Sequence, residues 1–498
     1  MAKEFTLPAF GIVPAVSTSK KLPKRTEALL IPVFEGEDEV VLAASGLFDK
    51  KTELEVFQAL VAVGATGAAE EITKVPAPKA TGVDVIVAVG LGDADEVTET
   101  AVRRAAGVAA RSLTGIERAA TTLGAFGVQA AVEGFVLGAY TYRGLRTEKL
   151  TPRKTPVGEV VFVNADKTEV AQALISAEAV ALARDLVNTA SSHLYPETYA
   201  EFAATSAKRE GINVEVLDHA ALAKAGFGGI LAVGEGSARP PRLVRLTYRA
   251  KKASKHVALV GKGVTFDTGG ISIKPAANMD HMIMDMGGSA AVLAAIIAAA
   301  RLKLPVNVTA TIPLAENMPG GGAYRPGDVI THYGGTTCEI MNTDAEGRLI
   351  LADAIARACE DDPDYLIEAA TLTGAQLVAL GTRTTGVMGS DELRDRIAAL
   401  GREVDEPTWA MPIPEETAAS LKSPVADLRN LPNHRNAGML AAGYFLEQFV
   451  ADGVEWAHLD IAGPAFNAES AHGFTPARGT GAPVRTLIAA LRDIAEKG

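Results

Sequence analysis

Two segments gather residues able to handle charge and protons. The first is Val260-Gly-Lys-Gly-Val-Thr-Phe-Asp-Thr-Gly-Gly-Ile-Ser-Ile-Lys274, which carries Lys262, Asp267 and Lys274 and leads to Asp285 in Met279-Asp-His-Met-Ile-Met-Asp-Met-Gly-Gly288. The second is Asn342-Thr-Asp-Ala-Glu-Gly-Arg348, with Asp344, Glu346 and Arg348. If 343–348 is extended, these three side chains share one face, since side chains alternate along a strand. Two carboxylates about 7 Å apart along the backbone can then grip cations between them. A plainer reading stays open: Asp344 caps the helix that follows, Glu346 complements its dipole, and Arg348 is solvated.

In the first segment, glycines on both sides of Lys262 predict a turn through which backbone can approach a ligand closely. Asp267 is expected between a strand and a Gly-Gly turn. Asp285 lies in a methionine-rich, apolar setting where an unpaired carboxylate is costly. The plainer alternatives are a solvated lysine and an Asp285 that caps a helix near Ser289, with Met284 and Met286 as core. Taken together, three aspartates and a glutamate from separate segments suit hard divalent cations. Two ions sharing a carboxylate could clamp a carbonyl and make water reactive near neutral pH. A lysine amine joins such a set only when neutral, well below its ordinary pKa of about 10.4. Lys274 could instead stay charged and stabilise an oxyanion.

The elements that must position these groups are those of an α/β protein. Strands are expected at 243–248, 256–260, 306–312, 365–370 and 456–461, with helices at 196–209, 289–302, 349–360, 437–451 and 484–496. Strands separated by helices of this length imply a mostly parallel sheet with chemistry at the strands' carboxyl ends. Upstream, 40–44, 83–89 and 160–163 read as strands, 102–113 and 127–139 as helices, and 151–155 as a loop. The helix-forming run 169–186 bridges two domains, a smaller N-terminal α/β domain (1–170) and a larger C-terminal catalytic α/β domain (171–498).

The chain has 498 residues and a formal charge of −12, and neither half is basic. This argues against nucleic acid or an anionic membrane as partner. Two cysteines, Cys338 and Cys359, make no disulfide framework or zinc-finger spacing, so a reducing, cytoplasmic setting is expected. The apolar run Ala290–Ala300 is too short to span a bilayer. There is no P-loop, no HExxH and no GxSxG. Gly90-Leu91-Gly92 lacks the third glycine of a dinucleotide turn.

With these motifs the chain resembles the leucyl (cytosol) aminopeptidase family of dinuclear metallo-exopeptidases. The resemblance rests on NTDAEGRL (342–349), VGKGVTFDTGGISIKP, DMGGSAAV, ENMPGGGAYRPGDV (316–329), EAATLTGAQLVALG (368–381) and WAHLDIAGPA (456–465). It is strong over 170–498 and looser before that. It implies a cytoplasmic homohexamer acting on peptides, with apolar first residues such as Leu favoured, in intracellular peptide turnover. It also implies two divalent ions per subunit, Mn²⁺ or Zn²⁺. One ion would take Lys262, Asp267, Asp285 and Glu346, and the other Asp267, Asp344 and Glu346. Lys274 and Arg348 would be catalytic, with Arg348 holding a bicarbonate ion as general base. Met282, Thr371 and Gly374 would line the pocket for the first side chain, and Leu372 would offer a backbone contact. One departure is Asn430-Leu-Pro-Asn-His-Arg-Asn436, where the family often has a glycine-rich segment. The competing readings are a dinuclear phosphoesterase, which would normally add histidines, and a DNA-binding regulatory assembly.

Overall fold

The computed structural model describes residues 5–147 and 155–498, so the expected loop at 151–155 lies outside the described residues except for Thr155. The chain forms two compact units: Ala9–Ala181 with Glu469–Ala477, and Leu182–Ala468 with Arg478–Gly498 and the stretch before Ala9. The helix Lys167–Asn188 carries the chain from one unit to the next.

The N-terminal unit is built on a seven-stranded sheet. Its order is Ala15–Ser19, Glu159–Val163, Arg118–Thr121, Ala28–Phe34, Val85–Gly90 and Ile72–Pro76. All but Ile72–Pro76 pair in parallel along this path. The central strand Ala28–Phe34 is buried throughout, as a parallel strand covered on both faces must be. The strand expected at 40–44 shrinks to Val41–Leu42, because only these residues find partners, antiparallel at Phe34 and Val33.

The C-terminal unit is organised by a nine-stranded sheet. Its strands are β1 (Asn213–Leu217), β2 (Arg242–Tyr248), β3 (His256–Gly261), β4 (Gly263–Asp267), β5 (Asn307–Asn317), β6 (Tyr365–Ala370), β7 (Thr385–Gly389), β8 (Thr408–Ala410) and β9 (Glu455–Asp460). The spatial order is β1-β2-β5-β3-β6-β9-β7-β8, with β4 also on β5. The centre, β5-β3-β6-β9, is parallel, and antiparallel pairs flank it. Helix α1 (Gly287–Leu302) and helix α2 (Gly347–Cys359) cover the sheet. Leu349, Ile350, Leu351 and Ile355 of α2 share a core cluster with Ala258 and Val260 of β3 and with Leu366 and Ala370 of β6.

The run Met279–Leu302 joins a 3-10 turn to α1. It is long and apolar enough to cross a membrane by composition, yet 83% of its most apolar window is buried in this unit. The apolar stretch is longer than Ala290–Ala300 because the 3-10 turn and the first turn of α1 extend it. The helix expected at 437–451 is shorter, Gly438–Glu447, since the chain turns off through Phe449 and Val450.

Candidate metal centre

Lys262 lies between two strands that share one register on β5: Val260 pairs with Thr311 and Gly263 with Leu314. The chain therefore runs straight through Lys262, and the expected turn is replaced by a one-residue break in an extended run. The Lys262 N–H donates to Ala369 O, and its carbonyl accepts from the Ser289 N–H. Farther on, the ladder slips by one residue between Val264 and Phe266. A one-residue bulge reverses the side-chain alternation. Lys262 and Asp267, five residues apart, can thus face the same site.

The segment 343–348 is likewise not extended. Thr343 and Asp344 form a turn closed by the Asn342 side chain, whose Oδ1 accepts the Asp344 N–H at 2.7 Å. Glu346 is already helical (φ −78°, ψ −36°) at the start of α2. The side chains of Asp344 and Glu346 converge through this turn rather than through strand alternation. Two close approaches explain the glycines here. A Cβ on Gly347 would lie 2.6 Å from Lys262 Cε, and one on Gly270 (φ +64°) would lie 2.8 Å from Asn317 Oδ1.

Carboxylate oxygens of Asp267, Asp344 and Glu346 lie within 4.8 Å of one another. Asp285, at the end of the 3-10 turn Met279–Met284, joins them through Lys262: its Nζ is 2.7 Å from Asp285 Oδ1 and 2.8 Å from Glu346 Oε1, and it donates to Thr371 O at 2.8 Å. Lys274 Nζ sits 2.7 Å from Asp267 Oδ2 and 2.5 Å from Asp344 Oδ1. Asp285 caps no α-helix; Thr371 Oγ1 donates to its Oδ1 at 2.7 Å, and its buried Oδ2 has no hydrogen-bond partner.

Four carboxylates against two ammonium groups leave the cluster electron-rich in a buried site. Burial, reinforced by Glu346, pushes the Asp267 carboxyl up to about 7 even against Lys274 and Lys262. Burial likewise raises Asp285 and Asp344. Glu346 is held low, because Lys262 and Lys274 outweigh its burial. Burial alone would lower both lysines; the surrounding carboxylates reverse that and raise them. The unpartnered Asp285 oxygen, the excess of carboxylates and the short separations fit divalent cations. Cations there would cancel the field that keeps the Lys262 amine protonated and leave burial to favour its neutral, ligating form.

Arg348 is buried, not solvated. Its Nη1 donates to Asn430 O at 2.8 Å, its Nε has no partner, and burial pulls its pKa down to about 10. Thr371 and Leu372 leave the end of β6 beside the cluster, and Gly374 opens the helix α3 (Gly374–Leu380). Met282 is half-buried in the turn before Asp285; Met286 is core, Met284 only half-buried.

Some residues that hold the site in shape were not singled out in the sequence. Asn317 ends β5, and its Nδ2 donates to Asp267 Oδ1 (2.7 Å) and Thr343 O (3.0 Å). Asn430 accepts the Met341 N–H and donates to Asn342 O, both at 2.7 Å. Asn317 stood inside the quoted ENMPGGG motif, but nothing about a strand-end asparagine marks it from sequence alone.

The family model for the catalytic domain of the cytosol aminopeptidase family matches residues 181–488, and the model for that family's N-terminal domain matches 30–149. A probable cytosol aminopeptidase of Corynebacterium diphtheriae is 60% identical over 502 residues, covering 100% of both chains. One of Rhodococcus jostii is 54% identical over 97% of this chain and 98% of the relative. Among solved structures, the bottromycin maturation enzyme BotP in complex with Mn superposes with a TM-score of 0.84 at 38% identity, covering 94% of this chain and 100% of that one.

Proposed function

The chain belongs to the cytosol aminopeptidase family and is accordingly a metal-dependent aminopeptidase, a hydrolase acting on peptides; we propose how its own residues carry that activity. Lys262, Asp267, Asp285 and Glu346 would hold one divalent ion, and Asp267, Asp344 and Glu346 a second, with Mn²⁺ or Zn²⁺ as the ions. When bound, such ions supply a Lewis-acid clamp on the scissile carbonyl and lower the pKa of water into the neutral range. Lys274, one-fifth exposed at the edge of the cluster, keeps its proton and donates to the carbonyl oxygen as negative charge develops. Arg348, pinned through Nη1 to Asn430 O, would hold an anionic base, bicarbonate, with its remaining donors, and such a base would supply proton transfer from the attacking water to the leaving amine. Met282, Thr371 and Gly374 receive the first side chain, with Leu372 as a backbone contact, and apolar residues such as Leu are favoured.

The observation that carries this reading is the convergence of Asp267, Asp344, Glu346 and, through Lys262, Asp285 within one buried cluster. We further propose a cytoplasmic homohexamer acting in peptide turnover and a functional division near residue 170. The family resemblance supports the assembly, and two free, buried cysteines fit a reducing compartment. The test is hydrolysis of leucinamide and of a phosphate ester by the purified protein, with and without chelator. Release of leucine that chelator abolishes is expected. Metal-dependent turnover of the phosphate ester alone would overturn the reading.

A further inference from the structure

The Thr371–Leu372 peptide group is gripped at both ends. Its carbonyl accepts from Lys262 Nζ at 2.8 Å, and its N–H donates to Asp460 Oδ1 at 3.2 Å. The Lys262 amine can donate to the carbonyl whether charged or neutral, and the Asp460 carboxylate on the N–H makes a charge-assisted bond, the stronger class. Asp460 is fully buried at the end of β9, directly opposite Ala370 of β6, so it stands beside the point where the loop leaves the sheet. Its other oxygen accepts from Thr373 Oγ1 at 2.7 Å. That hydroxyl in turn accepts the Gln376 N–H and caps α3, while Gln376 Oε1 accepts the Gly463 N–H at 2.7 Å. Every residue from Thr371 to Thr373 is thus tied down by a side chain, with Lys262 and Asp285 on one side and Asp460 on the other.

We infer that Asp460 is a specificity-determining positioning residue, which through the Leu372 N–H and the Thr373 hydroxyl fixes the 371–374 loop and so the shape of the pocket for the first side chain. The inference rests on the aminopeptidase reading. Asp460 touches neither substrate nor the acidic cluster; it acts on the loop that would touch substrate. A pocket made of a loose loop tolerates ill-fitting side chains, and selectivity between apolar residues depends on shape alone.

Asp460→Asn is nearly isosteric and retains an oxygen for the two backbone N–H groups of Leu372 and Ala462, but it puts an amide nitrogen against a hydroxyl that must then lose its acceptor. Thr373→Val removes the hydroxyl, and Thr373→Ser keeps it. The measurement is kcat/KM for leucinamide relative to alaninamide, with metal content determined on the same samples. Asp460→Asn and Thr373→Val should each lower that ratio by about fivefold or more, chiefly through a higher KM for leucinamide, with metal content unchanged. Thr373→Ser should restore the ratio. A purely structural role would lower the melting temperature and leave the ratio as it was. Should Asp460→Asn fail to fold, Thr373→Val and Thr373→Ser carry the same comparison. Wild-type turnover with an unchanged ratio in the variants overturns the inference alone. A wild-type protein without metal-dependent turnover overturns the functional reading, and the inference with it.

Discussion

Replacing Lys262 by methionine keeps most of the side-chain volume and removes the cation from the centre of the cluster. In the metal-free protein that amine sits 2.7 Å from Asp285 Oδ1 and 2.8 Å from Glu346 Oε1, and those two side chains are only 6% and 2% exposed. Breaking a buried ion pair by removing one partner costs about 3–5 kcal/mol. Asp285, already pushed up by its burial, can escape part of that cost by taking a proton, so the lower end, about 3 kcal/mol, is the better figure. At about 1.5 °C per kcal/mol for a unit of more than 300 residues, the metal-free variant should melt roughly 4–5 °C below the wild type. A divalent cation restores positive charge between the same carboxylates, so saturating Mn²⁺ or Zn²⁺ should recover at least half of the deficit. Thermal unfolding followed by circular dichroism, in chelator and then in excess metal, reads both effects. Equal melting temperatures in chelator, or a deficit that metal leaves untouched, would refute the argument that the amine and the ions answer the same buried charge.

Metal binding should be pH-dependent with a defined sign. Asp267 has its carboxyl raised from 3.8 to about 7, so the stability its neutral form provides is complete below about pH 4 and is lost as pH rises through about 7. A cation must displace that proton, so apparent metal affinity and proton release, measured by calorimetry in buffers of different ionisation enthalpy, should change together over this interval, affinity rising with pH. A flat affinity would contradict the raised Asp267 carboxyl. Asn430→Ala strips the Met341 N–H and the Asn342 carbonyl of their partners, at about 0.5–1.5 kcal/mol for each of these partly exposed bonds, and frees the turn that carries Asp344. Weaker metal retention on dialysis is expected, and unchanged retention would mean the turn holds itself. Lys274→Ala should keep its metal and lose about 100-fold or more in kcat, as when one oxyanion donor is removed. Loss of metal together with activity would reassign Lys274 to a structural role.

The α/β class and most central elements were legible because local and tertiary signals agree. The helix Pro196–Arg209 announces itself by proline at its first position, and β3 by an unbroken apolar run. Asn342 to Arg348 was ambiguous because an acidic turn, a helix start and a strand end use the same residues; only the Asn342 side chain closing on Asp344 decides it. The bulge between Val264 and Phe266 left no mark in composition, yet it sets which face Asp267 uses. Asn317, Asn430 and Asp460 were invisible as supports because the loop groups they hold lie 26 to 89 residues away in sequence. Side chains that satisfy backbone groups of a distant loop carry no local pattern.

Glu346, shared by both proposed ion sites, belongs on this reading to a cluster that binds two divalent ions and needs them to cleave peptides. The decisive experiment counts bound metal by mass spectrometry on reloaded, dialysed wild type and Glu346→Ala, with leucinamide turnover on the same samples. About two ions per chain and leucine release are expected for the wild type, and neither for the variant. Near-normal turnover by Glu346→Ala, or full turnover by wild-type protein stripped of metal, would contradict it.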